Sequence, residues 1–407
     1  YRKTFMVPAR LKSKELSILF DGVYMNADVW LNGEHLGNHP YGYTAFGYDI
    51  SDLLRYGQEN VIAVEVKNEG ENSRWYSGSG IYRHVWVSVA GPIFVARWGT
   101  GITTPIVSED TARVVVSSTI ENESGTTQEL NITTSLKDQY GKVVASGTMN
   151  QSGGTGKNIE VVQEFDIKDP GLWSPDSPIL YTAVTEIASP GSAIMDRVEN
   201  SFGIRSIGYT SEGFFLNGKN VLMKGGCMHH DNGPLGSAAF DRAEERRVEL
   251  MKASGFNAIR CAHNPPSQAF LDACDRLGML VIDESFDMWN WQKNDADYHL
   301  YFREWWKRDI ESMVLRDRNH PSVVMWSIGN EIRERAAPLG IETSELIREY
   351  VRKLDDTRPV TSAVNGLNPD KDRYFATLDL AGYNYAIGGD HWKENIYQQD
   401  HARVPER

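Results

Sequence analysis

The stretch D-R-N-H-P-S-V-V-M-W-S-I-G-N-E, Asp317 to Glu331, runs a nearly unbroken apolar segment into an Asn-Glu pair. Val323 to Ile328 show no period-two alternation, so neither face of such a strand is set aside for water. This is the pattern of a parallel strand covered on both sides. A carboxylate at its end is not explained by stability, because buried charge is costly unless paired. It is explained if the strand belongs to a barrel whose chemistry collects at the carboxyl ends of its strands.

Working outward, the same texture recurs from residue 207 onward. Strand-like V-L-M-K-G-G-C (221–227) precedes a helix expected near Asp241. A-I-R-C-A-H (258–263) precedes a helix with Phe270, Leu271, Cys274 and Leu277 on one face and Gly278 as its C-cap. L-V-I-D-E-S (280–285) leads to a long helix, W-W-K-R-D-I-E-S-M-V-L-R. Val323–Glu331 leads to a helix carrying Leu346, Ile347, Tyr350, Val351 and Leu354. P-V-T-S-A-V (359–364) and L-A-G-Y-N-Y (380–385) complete the series, with Glu394 in a helix expected after the sixth strand. Repeated βα units predict a (β/α)8 TIM barrel, of which about six strands are present. An open barrel would expose two apolar edges, so the chain reads as stopping before a seventh strand.

Polar residues end most of these runs: His229, His230 and Asp231; Arg260 and His263; Asp283 and Glu284; Asn330 and Glu331; Tyr383, Asn384 and Tyr385. At the carboxyl end of a barrel they converge on one pocket. Each also has a structural alternative. Arg260 and Glu284 could pair with one another, the histidines could be loop residues, and Tyr385 could cap the pocket wall. Trp75 and Trp289 suit either a sugar face or a core.

Upstream, residues 1–92 hold short alternating strands, with Asn32-Gly33 as a hairpin turn. Gly91-Pro92 marks a boundary. Residues 93–206 repeat strands about ten residues apart, as in an antiparallel sandwich, with a Gly/Ser loop over Gln151 to Lys157. Residues 207–407 form the barrel.

The 407 residues carry a net charge of −13, which argues against nucleic acid or an anionic membrane as partner. No apolar run is long enough to span a bilayer. Three cysteines exclude a disulfide framework, and no metal-ligand spacing occurs. The eleven Trp and eighteen Tyr suit carbohydrate as well as β-sheet. The chain opens on a strand pattern without Met, so it reads as cut at its N-terminus and its compartment, cytoplasmic, periplasmic or secreted, stays unassigned.

Asp317–Glu331 resembles the acid/base motif of glycoside hydrolase family 2. N-A-I-R-C-A-H-N-P (257–265) resembles a second motif of that family, departing in Asn264 where Tyr is common. R-W-Y-S-G-S-G-I-Y-R (74–83) and G-Y-T-A-F (42–46) resemble its N-terminal β domain. Within the family the chain is most similar to the β-galactosidases. The resemblance implies a jelly-roll β-sandwich, an immunoglobulin-like β-sandwich and the barrel. It implies Glu331 as general acid/base, Asn330 on the sugar 2-hydroxyl, and His230 and His263 lining the sugar subsite. It implies Arg260 beside the nucleophile and Tyr385 as hydrogen-bond partner of that nucleophile, a Glu on a seventh strand beyond this sequence. Asp231, Glu284, Trp75 and Trp289 complete the expected substrate-binding set. Family members with a magnesium or sodium ion exist. Asp287 or Met288 stands here where a metal carboxylate is expected, so no metal is carried over and no cofactor is expected. The implied partner is a β-galactoside or oligosaccharide; a homo-oligomer is left open. A β-glucuronidase would need basic residues for the substrate carboxylate, and the barrel loops show no cluster of them. A carbohydrate-binding fragment without catalysis is the reading from another class.

Overall fold

The structure is a computed structural model that describes residues 1–365, 372–386 and 396–405. The chain divides into two compact units. The first comprises Tyr1–Lys67, Gly80–Ser206 and Leu315–Pro321; the second comprises Asn68–Ser79, Ile207–Val314 and Ser322–Arg407.

The first unit holds two antiparallel sandwiches. In the N-terminal one, Arg2–Met6, Glu59–Val66, Ala27–Leu31 and Glu34–His39 form one sheet, and Phe46–Asp49, Glu15–Phe20 and Val85–Ala90 the other. Their inward side chains, among them Leu16, Ile18, Phe20, Val29, Leu31 and Val64, share a single core. The hairpin turns at Asn32 (φ 54°) and Gly33 (φ 97°), the two left-handed positions that its two-residue loop requires. In the second sandwich, buried and open residues alternate along Thr111–Asn122 and Ile159–Lys168, the period of a sheet with one wet face. The loop expected over 151–157 begins later than predicted. Gln151–Gly153 still pair with Gln128–Leu130, and the chain turns only beyond them.

The second unit is built on a parallel sheet. Among the described residues its six strands follow in sequence order: Gly225–Met228, Ala258–Cys261, Leu280–Glu284, Val323–Asn330, Val360–Asn365 and Leu380–Asn384. They are six strands of a TIM barrel, as the alternation of runs predicts. Every residue of Val323–Asn330 is buried, in keeping with its unbroken apolar pattern. The first strand starts later than expected. Lys219–Asn220 belong instead to a small antiparallel sheet with Ile207–Thr210 and Gly213–Leu216. Helix Gln268–Leu277 is capped by the Ser267 hydroxyl, which accepts from the Phe270 N–H at 3.2 Å, and ends at left-handed Gly278 (φ 72°). In helix Pro338–Leu354, Ile347 and Val351 are fully buried, but Leu346 is 50% exposed and lies off the packed stripe. Glu394 lies outside the described residues.

Trp289 corrects one expectation. It has no exposed surface, its indole N–H donates to the Ile328 carbonyl at 2.9 Å, and its ring packs against Phe302 and Tyr374. The turn after the third strand folds it beneath the fourth strand, so no face is left for a sugar. Replacing it with alanine is expected to cost about 3–5 kcal/mol of stability. Denaturant unfolding would register that loss, whereas a sugar platform would change KM at nearly constant stability.

Candidate active site

The cluster at the strand ends is assembled by Arg260, which leaves the second strand and reaches the third, fourth and sixth, with Nη1 also 3.5 Å from Cys227 Sγ on the first. Its Nε and Nη2 donate to the two oxygens of Glu284 at 2.9 and 2.8 Å. Nη2 also donates to Asn330 Oδ1 at 2.8 Å, and Nη1 to Asn384 Oδ1 at 3.2 Å. The second, third, fourth and sixth strands are thereby joined through one guanidinium. Glu284 has no exposed side-chain surface. It also accepts from the Ser327 hydroxyl at 2.7 Å and has His263 Nδ1 2.9 Å from Oε1. Burial pushes its carboxyl up, and Arg260 and His263 outweigh burial, leaving it below the ordinary glutamate range.

Asn330 is the hub one residue before Glu331. Its side-chain amide donates to Asp287 at 2.8 Å and its oxygen accepts from Asn384 at 3.1 Å. Glu331 follows in a left-handed conformation (φ 46°), a rare state for a residue with a side chain. Its N–H donates to the Ala363 carbonyl at 2.7 Å, and its Oε1 accepts from Asn384 Nδ2 at 2.9 Å. Arg74, from Asn68–Ser79, places Nη1 3.6 Å from Glu331 Oε2 and forms a two-pronged pair with Asp287 at 2.7 and 3.1 Å. Lys293 donates to the other face of this group, at 2.8 Å to Asp287 Oδ1 and 2.7 Å to the Asn330 carbonyl. Burial alone would raise the Asp287 carboxyl; Arg74 and Lys293 hold it far below the usual aspartate range.

A second group lies beside it. Trp75 stacks on His229 with ring centres 3.7 Å apart, and its indole N–H donates to Asp231 at 2.8 Å. His229 meets His263 edge-on at 5.1 Å. Burial, with the neighbouring His263, draws the His229 imidazole down to about 4. Its neutral form is therefore the one present at neutral pH. Trp75 remains half exposed.

The structure thus brings together Glu331, Asn330, Arg260, His263, Glu284, Asp231 and Trp75. His230 is buried, with Nε2 3.4 Å from the Ser77 carbonyl, and its neighbour His229 is the one that meets Trp75 and His263. Tyr385 stands 74% exposed at the end of the sixth strand. Arg74 and Lys293 were not singled out from the sequence, and His229 was a strand-end candidate that the substrate-binding set passed over for His230. Arg74 lies 213 residues from Asp287 in the chain, and Lys293 sits in a loop without a motif, so local pattern carries no signal for either. Glu334 is fully buried, and its Oε1 accepts from the Asn290 and Trp291 N–H groups, which makes it an anchor of that loop. Asp287 does not present itself to a divalent cation either, because both of its oxygens already accept from protein donors.

Three family models match in series. "Glycosyl hydrolase 2 galactose-binding domain-like" spans residues 1–84, "Glycosyl hydrolases family 2" spans 98–205, and "Glycosyl hydrolases family 2, TIM barrel domain" spans 207–399. The chain belongs to glycoside hydrolase family 2. Beta-galactosidase BoGH2A of Bacteroides ovatus is 43% identical over 419 residues, covering 95% of this chain and 49% of that protein. A beta-glucuronidase of Bacteroides fragilis is 30% identical over 406 residues, covering 95% and 56%. The crystal structure of a glycosyl hydrolase family 2 member from Bacteroides cellulosilyticus superposes with a TM-score of 0.96 at 47% identity, over all of this chain and 52% of that one. The chain spans about half the length of the curated relatives it matches.

In this family 2 chain, Glu284 is the test of the Arg260 bracket. Glu284→Gln should destabilise by about 3–5 kcal/mol at pH 7, because it strands a buried guanidinium. A carboxyl held below its ordinary value contributes stability above that value and loses it as pH falls through the depressed one. The gap between parent and variant should therefore close as pH drops below about 4. Thermal unfolding of both proteins across pH 3–7 measures it; a gap independent of pH would show that Glu284 acts by packing alone.

Proposed function

We propose that this chain carries the acid/base side of a retaining exo-β-galactosidase, with Glu331 protonating the departing oxygen and then deprotonating water. The observation that carries the reading is the position of Glu331. It is a side chain only 10% exposed, on a left-handed strand tip, between Asn384 and Arg74 and directly after Asn330. A glycosidic oxygen leaves poorly as an alkoxide, so a positioned carboxylic acid lowers the barrier. A retaining mechanism adds a nucleophilic carboxylate about 5–5.5 Å away. Glu284 and Asp287 have both oxygens engaged by protein donors, and Glu334 is fully buried with Oε1 held by the Asn290 and Trp291 N–H groups, so we place that nucleophile outside the described residues. Asn330 and His263 are read as partners of sugar hydroxyls, and half-exposed Trp75 as a surface for a sugar face.

A β-glucuronidase is the second reading, favoured by relatives of that name. A neutral sugar fits the charges better. Arg260 is paired with Glu284, and Arg74 and Lys293 with Asp287, so each cation of the cluster already faces a protein carboxylate.

The test uses the protein as its gene encodes it, assayed on nitrophenyl-β-galactoside and on the corresponding glucuronide. Preference for the galactoside is expected. Glu331→Gln should lower kcat/KM on an alkyl β-galactoside by at least 100-fold and on the nitrophenyl substrate by less, because a good leaving group needs little protonation in the first step. A loss of no more than tenfold on both would remove Glu331 from the acid/base role. Binding of galactosides without turnover would favour a carbohydrate-binding module.

A further inference from the structure

Lys293 is a lysine whose side chain is 3% exposed, delivered by a loop that is itself fixed at several points. Asp297, fully buried, accepts from the Lys293 and Asn294 N–H groups at 2.8 and 2.7 Å and from the His299 N–H at 3.0 Å. Glu334, also fully buried, accepts from Asn290 N–H at 2.7 Å and Trp291 N–H at 3.2 Å. Trp289 is pinned under the fourth strand. Burying an ammonium and two carboxylates to hold one surface loop is costly unless the lysine has a task. Its own charge is disfavoured there: burial lowers the ammonium, and the charge of Asp287 only partly offsets this.

The two groups that Lys293 touches define the task. One is the main-chain carbonyl of Asn330, the last atom group before the left-handed residue. The other is Asp287, which also holds Asn330 Nδ2 and Arg74. We propose that Lys293 is a positioning residue for the acid/base carboxyl: clamped between Asp287 and the Asn330 carbonyl, it fixes the strand tip that aims Glu331 and keeps a positive charge behind it. The proposal rests on the reading of Glu331 as acid/base. The charged and titratable groups that face Glu331 or its tip are Arg74 and Lys293, the carboxylates Asp287 and Glu284, and Arg260 with His263. Lysine is suited to this place because its three donors spread over one small volume without needing a planar partner. Losing a nearby positive charge makes a carboxylate keep its proton to higher pH.

The experiment is the pH dependence of kcat/KM for Lys293→Met beside the parent, in the protein as its gene encodes it, on a nitrophenyl and an alkyl β-galactoside. Expected is a 10- to 100-fold fall in kcat/KM on the alkyl substrate and a smaller fall on the nitrophenyl one. KM should stay within about threefold, and the basic limb of the profile should move up by about one pH unit. If the methionine variant does not fold, Lys293→Gln is judged by the same limb, since it retains a donor for the Asn330 carbonyl and removes the charge. Unchanged activity, or an equal fall on both substrates with the limb unmoved, overturns the proposal, the latter showing a scaffold role only. The Glu331→Gln measurement separates the two failures. If that variant keeps activity on the alkyl substrate, the acid/base reading has failed; if it loses activity while Lys293→Met behaves as parent, only the role of Lys293 has.

Discussion

Glu284 has no solvent-exposed side-chain surface, so its charge persists only because a guanidinium, a hydroxyl and an imidazole surround it. A buried pair of this kind adds little net stability over apolar residues of the same volume. What it adds is geometry. Arg260 also donates to Asn330 and Asn384, so the ends of the fourth and sixth strands are set by the same group that neutralises the third. Asn384 in turn donates to Glu331. The position of the acid/base candidate therefore descends, through two amides, from a buried ion pair.

Charge around Asn330 is balanced in the same way. Arg260, Arg74 and Lys293 face Glu284, Asp287 and Glu331. With Glu331 protonated to act as the acid, a further carboxylate acting as nucleophile would leave the three cations matched by three carboxylates, His263 apart. In the proposed mechanism the proton that Glu331 gives up leaves its carboxylate negative while positive charge develops on the sugar ring in an oxocarbenium-like transition state. Among the described residues each cation of this cluster already faces a protein carboxylate, and the proposed neutral substrate rests on that count.

The strands and their polar ends were legible because burial on both faces writes a continuous apolar run, and a charge that interrupts such a run stands out. Arg260, Glu284, Asn330 and Glu331 all carried that mark. Trp289 was misread because an indole in a strand-end loop has the same sequence signature whether it faces sugar or core; only its packing under the fourth strand decides. His230 was placed in the sugar subsite by resemblance, since no local signal tells adjacent histidines apart. Arg74 and Lys293 were illegible for a different reason. Arg74 is supplied from a segment more than two hundred residues upstream, and Lys293 by a loop whose shape depends on buried Asp297 and Glu334. Neither has a periodicity to read.

The opening stretch itself performs two tasks that one motif conceals. Its first half lies in the β-sandwich unit. Asn319 accepts from the Ile102 N–H at 2.9 Å and donates to the Thr100 carbonyl at 2.9 Å, Arg318 donates to the Trp98 carbonyl, and the Pro321 carbonyl accepts from Arg205. Its second half is the buried strand that ends on Asn330 and Glu331. A change at Asn319 and a change at Glu331 would thus impair the molecule by unrelated routes, one through backbone groups of the sandwich left unpaired, the other through the chemistry at the strand tip. Similarity across the whole motif argues for the fold and for the site at once, and the two arguments are independent because different hydrogen bonds carry them.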